Sequence, residues 1–322
     1  MRPEHGGASH SPAPLGSRRA PGVWATHLAL LVVQLAFASQ AVEGKIAMLP
    51  RVEGGEQIAP VALAMVRMFG AAVFFQVLMR ATGLLRPVSG KDHLWLGLLS
   101  VLGIVLNQTL FLMGLRSTTP MSAALLGITI PVLTAALAVL FRQEKASART
   151  AVGLVVACAG VMWLTGVRSV DRGALIIALN CLSYSAYIVL SRGVIRRLGA
   201  FTVVTWIFTW AAALFSPLGA LSLVHDAPSF TARGWGFLAY IVIVPTILAY
   251  VANAWALGRS SPSLVTVYIY MQPLITAVLA WVQLGHTVSS RILVAAALIV
   301  VGVAIVSSRG STSSRPGLLR SP

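Results

Sequence analysis

Residues 114 to 161, moved along the chain by 142 positions, fall on a second copy of themselves. Pro120 lands on Pro262, and Pro131-x-x-Thr134-Ala135 lands on Pro273-x-x-Thr276-Ala277. The register holds without a gap through Leu137-Ala138 over Leu279-Ala280, Arg149 over Arg291, Val152 over Val294 and Gly160-Val161 over Gly302-Val303. The chain is an internal duplication, so its fold has to be buildable twice.

The solvent of that fold is lipid. The chain is 57% hydrophobic and 10% charged, against roughly 25% charged for soluble domains. Its apolar residues arrive in blocks of about 20, the length that crosses about 30 Å of hydrocarbon as a helix. Ten blocks are expected to span, at 24–47, 60–81, 93–114, 119–141, 148–166, 173–191, 200–224, 234–257, 264–285 and 291–308. Lipid offers the backbone no hydrogen-bond partner, and the blocks are twice the length of a barrel strand and lack its alternation. An all-α integral membrane protein follows.

A net charge of +16 suggests nucleic acid in a soluble protein. Here the basic residues sort by loop parity instead, as membrane insertion requires. With the N-terminus in the cytoplasm, only Lys45, Arg51, Arg116, Arg168, Arg172, Arg233 and Arg291 lie on the outer face; Arg67 lies within a span and the other Lys and Arg lie inside. Both termini are therefore expected in the cytoplasm. Residues 1–22 and 309–322 read as disordered tails, flanking a first repeat at 23–167 and a second at 168–308. Arg18-Arg19, the apolar run from Leu28 and Ala36-Phe37-Ala38 imitate a signal peptide. Cleavage there would break the duplication, because Phe37 to Lys45 resembles Tyr184 to Arg192 in the sixth span.

Each repeat has five spans, and an odd number sends the second copy through the membrane in the opposite sense. Two inverted five-helix repeats are the arrangement of secondary transporters, with a midplane site that opens alternately to either side.

Pro131 and Pro273 are expected inside the fourth and ninth spans, each denying a donor to the carbonyl four residues earlier, at Gly127 and Ile269. Polar side chains collect on particular spans. Gln34, Ser39 and Gln40 lie on the first, Asn107 and Gln108 on the third, Thr129 and Thr134 on the fourth, and Asn180, Tyr184 and Tyr187 on the sixth. Thr246, Tyr250 and Asn253 lie on the eighth and Tyr268, Tyr270, Gln272 and Thr276 on the ninth. Any one of them is accounted for by an interhelical hydrogen bond of about 1 kcal/mol. Together they describe a cavity for a small polar solute. Arg67 lies about 10 Å deep at 1.5 Å per residue, where an unpaired guanidinium costs about 3 kcal/mol or more. Glu43, the acid of the first span, is followed by Lys45, and the functional reading is a Glu43–Arg67 pair or an anion-binding cationic cluster at the outer mouth of the cavity, with Glu43 a candidate proton-coupling residue; snorkelling of Glu43 and Lys45 to the interface is the simpler account.

These residues resemble a known family. Ala38-Ser39-Gln40 through Lys45, Arg67, Asn107-Gln108 through Gly114-Leu115, Thr119-Pro120 and Pro131 through Glu144, with Tyr250, Asn253 and Pro273 in the second half, look like a ten-helix member of the EamA family of the drug/metabolite transporter superfamily. The resemblance covers residues 24 to 308. It implies a central cavity built mainly from the first, third, fourth, sixth, eighth and ninth helices, and export of a metabolite, often amino-acid-like. Gly285-His286 stands where the family usually has Gly-Glu.

Other classes find little support. The histidines lie in tails, loops or helix ends, and none shares a helix face with two acids, so neither a metal site nor a cofactor is expected. Cys158 and Cys181 lack a C-x-x-C spacing and read as small apolar residues. Gly90-Lys91 is not a phosphate loop. Gly153-x-x-x-Ala157 suits close helix packing, within a monomer more readily than in a dimer. The chain reads as an inner-membrane secondary transporter and not an enzyme. Its expected partners are lipid and a small polar or amphiphilic solute, amino-acid-like or drug-like. The expected binding residues are Gln40, Arg67, Asn107, Gln108, Thr129, Pro131, Tyr184, Tyr250, Asn253, Tyr270, Gln272 and Pro273. The competing reading is an integral-membrane enzyme or a non-transport membrane subunit.

Overall fold

The computed structural model describes residues 23–143, 148–165, 172–257, 268–269, 271–287 and 289–307. Expectations for the two tails, for Glu144 and for Tyr270 lie outside them. Helices fall in each of the ten blocks. They are α1 (Val23–Met48), α2 (Pro60–Ala81), α3 (Gly90–Ser117), α4 (Pro120–Leu140), α5 (Ala148–Thr165), α6 (Arg172–Leu198) and α7 (Ala200–Asp226). Next comes α8, in three pieces (Ala232–Val242, Ile243–Leu248 and Ala249–Leu257), then α9 (Gln272–Leu284) and α10 (Ser290–Ser307).

Among the described residues, seven helices are long and apolar enough to cross a membrane: α1, α2, α3, α4, α6, α7 and α8. The surface agrees with a lipid solvent. Phe69, Val73 and Val77 on α2 and Leu214, Leu218, Leu221 and Val224 on α7 are exposed. A water-soluble chain would carry so broad an apolar face only as a docking site or a liability. The fold is an all-α, multi-pass integral membrane one.

Helix contacts repeat when five is added to each helix number. The principal contacts of α3 with α6 and of α4 with α6 have counterparts in α1 with α8 and α1 with α9, while α2 packs on α7 and α5 on α10. Backbone irregularities repeat as well. A π turn at Val101–Leu106 interrupts α3, and a second at Ile243–Leu248 interrupts α8, 142 positions on. The second has a plain cause. Pro245 has no N–H to give the Ile241 carbonyl, and the Thr246 hydroxyl donates to that carbonyl at 2.8 Å. In the first, Gly103 stands where Pro245 does, and Ser183 of α6 donates to the Leu102 carbonyl at 2.8 Å.

Pro131 lies inside the fourth span, as expected, and the helix is broken beside it. Pro131 and Pro273 each stand in the first turn of a helical segment. A turn at Ile128–Thr129 ends the first part of α4, and Met271 stands at the equivalent place before α9. Proline fits a first turn, where its missing N–H leaves nothing unsatisfied.

Glycines set the closest crossing. A Cβ at Gly173 of α6 would lie 2.6 Å from the Gly114 carbonyl oxygen and 2.8 Å from the Thr118 nitrogen of α3. Backbone cannot swing aside as a side-chain tip can. Gly173→Ala is therefore expected to lower stability by about 1–3 kcal/mol, read as a lower unfolding temperature in detergent. Gly193→Ala, where a Cβ meets nothing within 4 Å, is expected to leave it level or higher.

Candidate functional site

The helices surround a cavity of about 690 Å³ lined from α1, α2, α3, α4, α6, α8 and α9. Its lining follows the duplication closely. Gln108 and Tyr250, Phe111 and Asn253, Gly127 and Ile269, Ile130 and Gln272, and Thr134 and Thr276 all face it, and each pair is 142 positions apart. On α1 and α6 the spacing is 147, and Val33 with Asn180, Gln34 with Cys181, Phe37 with Tyr184 and Ala41 with Ile188 line it together. The helix breaks point the same way. Asn107 and Gln108 directly follow the π turn of α3, and Tyr250 comes two residues after that of α8. Widened turns of this kind occur often at functional sites because they re-aim the side chains after them.

Arg67 is 3% exposed and is held from two sides. Its Nε donates to Thr246 Oγ1 of α8 at 3.0 Å, and its Nη2 donates to Gln40 Oε1 of α1 at 3.0 Å. A relay thus runs from the carbonyl released by Pro245, through the Thr246 hydroxyl, to the guanidinium. Among the described residues Nη1 is buried without a hydrogen-bond partner, as are both amide atoms of Gln108 and the hydroxyls of Thr134 and Thr276. All four of these residues line the cavity. Other polar groups are spent on neighbouring helices. Gln272 Nε2 donates to Gln34 Oε1 at 2.8 Å, Tyr240 Oη donates to Ser39 Oγ at 2.8 Å, and Asn180 Nδ2 donates to the Asn107 carbonyl.

Of the residues expected at the site, Gln40, Arg67, Asn107, Gln108, Pro131, Tyr184, Tyr250, Asn253 and Gln272 come together around the cavity. Thr129 and Pro273 are buried and not among the lining residues; the Thr129 hydroxyl turns back to the Leu126 carbonyl. The Glu43–Arg67 pair does not form among the described residues. Glu43 is not among the lining residues, and Arg67 turns to Gln40 and Thr246 instead. Phe37, Phe111, Cys181 and Arg192 also line the cavity and were not singled out from the sequence. The 147-residue match of Phe37 to Lys45 with Tyr184 to Arg192 holds the signal for two of them, since Phe37 is the counterpart of Tyr184 and Arg192 that of Lys45.

At the face that carries the α1–α2 loop, the helix ends are fastened. Lys45 Nζ donates to the carbonyls of Leu115, Arg116 and Thr118 at 3.0, 2.8 and 2.9 Å. An ammonium there satisfies terminal carbonyls of α3 and suits its negative end. Glu56 is 5% exposed. It accepts from Thr231 Oγ1 and lies 3.7 Å from Arg233 Nε, while Arg233 Nη1 donates to the Gly54 carbonyl at 3.0 Å.

Comparison with known proteins places this architecture. A model of the EamA-like transporter family matches the chain twice, at residues 24–166 and 171–308. The chain belongs to the EamA-like transporter family. Its members are transporters and not enzymes, and this chain is accordingly an integral membrane protein of transport. It is 24% identical over 269 residues to a protein named Uncharacterized transporter from Archaeoglobus fulgidus, covering 81% of this chain and 90% of that one. It is 24% identical over 249 residues to Protein WALLS ARE THIN 1 from Arabidopsis thaliana, covering 65% of this chain and 64% of the relative. The chain thus spans just under two thirds of the plant protein's length. A crystal structure of a protein at 20% identity superimposes with a TM-score of 0.56, covering 88% of this chain and 97% of the other, a likeness of fold alone.

The relay through Thr246 gives a direct expectation. Thr246→Val keeps the shape but removes both the donor to Ile241 and the acceptor of Arg67. Leaving buried polar groups unmatched costs about 1–3 kcal/mol each, so a clear fall in unfolding temperature is expected, and Thr246→Ser should recover most of it.

Proposed function

We infer that this EamA-like transporter has ten membrane-crossing helices in two inverted five-helix repeats and exports a small polar or amphiphilic metabolite by alternating access. The observation that carries the reading is the paired lining of the cavity. Residues 142 positions apart face one space from opposite ends of the chain, which is the expected signature of a site on the axis relating two inverted repeats. Solute contacts then come from Arg67, Gln40, Asn107, Gln108, Tyr184, Tyr250, Asn253 and Gln272, with Pro131 shaping the break beside them and Thr129 and Pro273 supporting it from behind. Tyr270 remains a candidate on sequence grounds. Glu43 lies off the lining, so coupling to protons through it has no support from the cavity.

The charge distribution supports cytoplasmic termini in a bacterial-type inner membrane, which puts the Lys45 and Glu56 contacts on the outer face. In that orientation the outer ends are fastened while the lining runs to Arg192 near the inner end of α6. This is an outer-closed arrangement, in which Lys45 acts as the outer latch.

Two measurements test the reading. Cells expressing the protein are expected to enrich particular solutes in the medium relative to cells expressing Arg67→Ala; equal profiles, with insertion verified, would count against export. In a Cys158→Ala, Cys181→Ala background, Ala41→Cys is expected to react slowly with a membrane-impermeant maleimide added outside. Adding Lys45→Met is expected to raise that rate severalfold, and an unchanged rate would remove Lys45 as the latch.

A further inference from the structure

Arg67 is anchored but not neutralised. Its Nε and Nη2 donate to uncharged oxygens, and Nη1 has no partner among the described residues. Among the described residues no ion pair reaches it, and no Asp or Glu is among those lining the cavity. A guanidinium keeps its proton at any physiological pH, and a buried cation left without a countercharge is strongly disfavoured. Among the described residues no acid answers that charge.

The neighbourhood suits an acceptor. Tyr250 lines the same cavity as Arg67, and Gln108, 3% exposed, brings an amide with both atoms unmatched among the described residues. Because Thr246 and Gln40 fix two edges of the planar head, its third edge is already oriented, and little rotamer freedom is left to lose on binding. Phe37, Phe111 and Tyr184 offer apolar surface for the rest of a solute.

We propose that the cavity recognises its solute by a carboxylate, which takes Arg67 Nη1 as its cationic partner, with Gln108 and Tyr250 as flanking hydrogen-bond groups. This rests on the cavity being the transport site. A carboxylate receives a charge-assisted hydrogen bond there, roughly twice as strong as a neutral one. A site built to meet such a group also rejects isosteres lacking it. The carboxylate can belong to a simple organic acid or to an amino acid.

Equilibrium binding to the purified full chain in nanodiscs tests this without requiring transport. The probes are acetate through decanoate, 3-phenylpropanoate and phenylalanine, each against its own primary carboxamide. At least one acid is expected to bind tenfold or more tighter than its amide, equivalent to about 1.4 kcal/mol. Arg67→Met is expected to bring that ratio near one; a purely structural role would weaken acid and amide alike and leave the ratio unmoved. Arg67→Gln, which can still donate to Gln40 or Thr246 without the charge, serves if the Met variant does not fold. A preference limited to phenylalanine identifies amino acids as the source of the carboxylate, and one shared by 3-phenylpropanoate identifies organic acids. A panel in which no acid outbinds its amide, or a preference that survives both variants, overturns the proposal. Flux into proteoliposomes separates the two readings. Acid binding without flux speaks against transport alone, and flux of neutral solutes without acid preference speaks against Arg67 alone.

Discussion

Arg67 ties three helices together at a depth where lipid gives no help. A guanidinium about 10 Å into the membrane by helix rise is tolerable only with hydrogen bonds and a polar surround. This one takes them from α1 through Gln40 and from α8 through Thr246. The Thr246 side chain is available because Pro245 leaves the Ile241 carbonyl unclaimed and draws the hydroxyl onto it. A backbone defect in α8 and a charge on α2 thus stabilise each other, and the cavity forms where they meet.

The same rule governs the other breaks. Irregular backbone inside a bilayer persists only where protein or a polar cavity answers its free groups. Ser183 answers the π turn of α3, and Ser185 and Cys181 of α6 reach the carbonyls of Ile130 and Leu126 around the break in α4. The α6 helix therefore serves the first repeat as a hydrogen-bonding wall. Its counterpart α1 meets the second repeat through side chains instead, Gln34 accepting from Gln272 and Ser39 from Tyr240.

Much of this was legible in the sequence because two copies of one pattern cross-check each other. Pro131 over Pro273 marked the breaks, and Thr134 over Thr276 marked residues that do face the cavity. What escaped had physical reasons. The π turns were hidden because Gly103 and Pro245 reach the same backbone shape by unlike chemistry. Glu43 was matched with Arg67 by depth alone, whereas side chains meet only if depth and azimuth around both helices agree. Phe37 and Phe111 look like ordinary lipid-facing aromatics until the helices are assembled.

The two faces are joined unequally. The α1–α2 connection runs from Leu49 to Ala59 and brings Glu56 under Thr231 and Arg233, whereas α6 and α7 are joined through Gly199 alone, at a φ of 83°. The face of that short turn is fastened too, by Arg197, whose guanidinium lies 2.7 Å from Asp92 Oδ1 and whose carbonyl accepts from Arg86 Nη1 at 3.1 Å. The long connection reaches α8 with its own side chain, whereas the short turn leaves that work to side chains on α3, on α6 and on the segment between α2 and α3. The two ends of the bundle are thus held by different means, a loop on one side and helix-end side chains on the other.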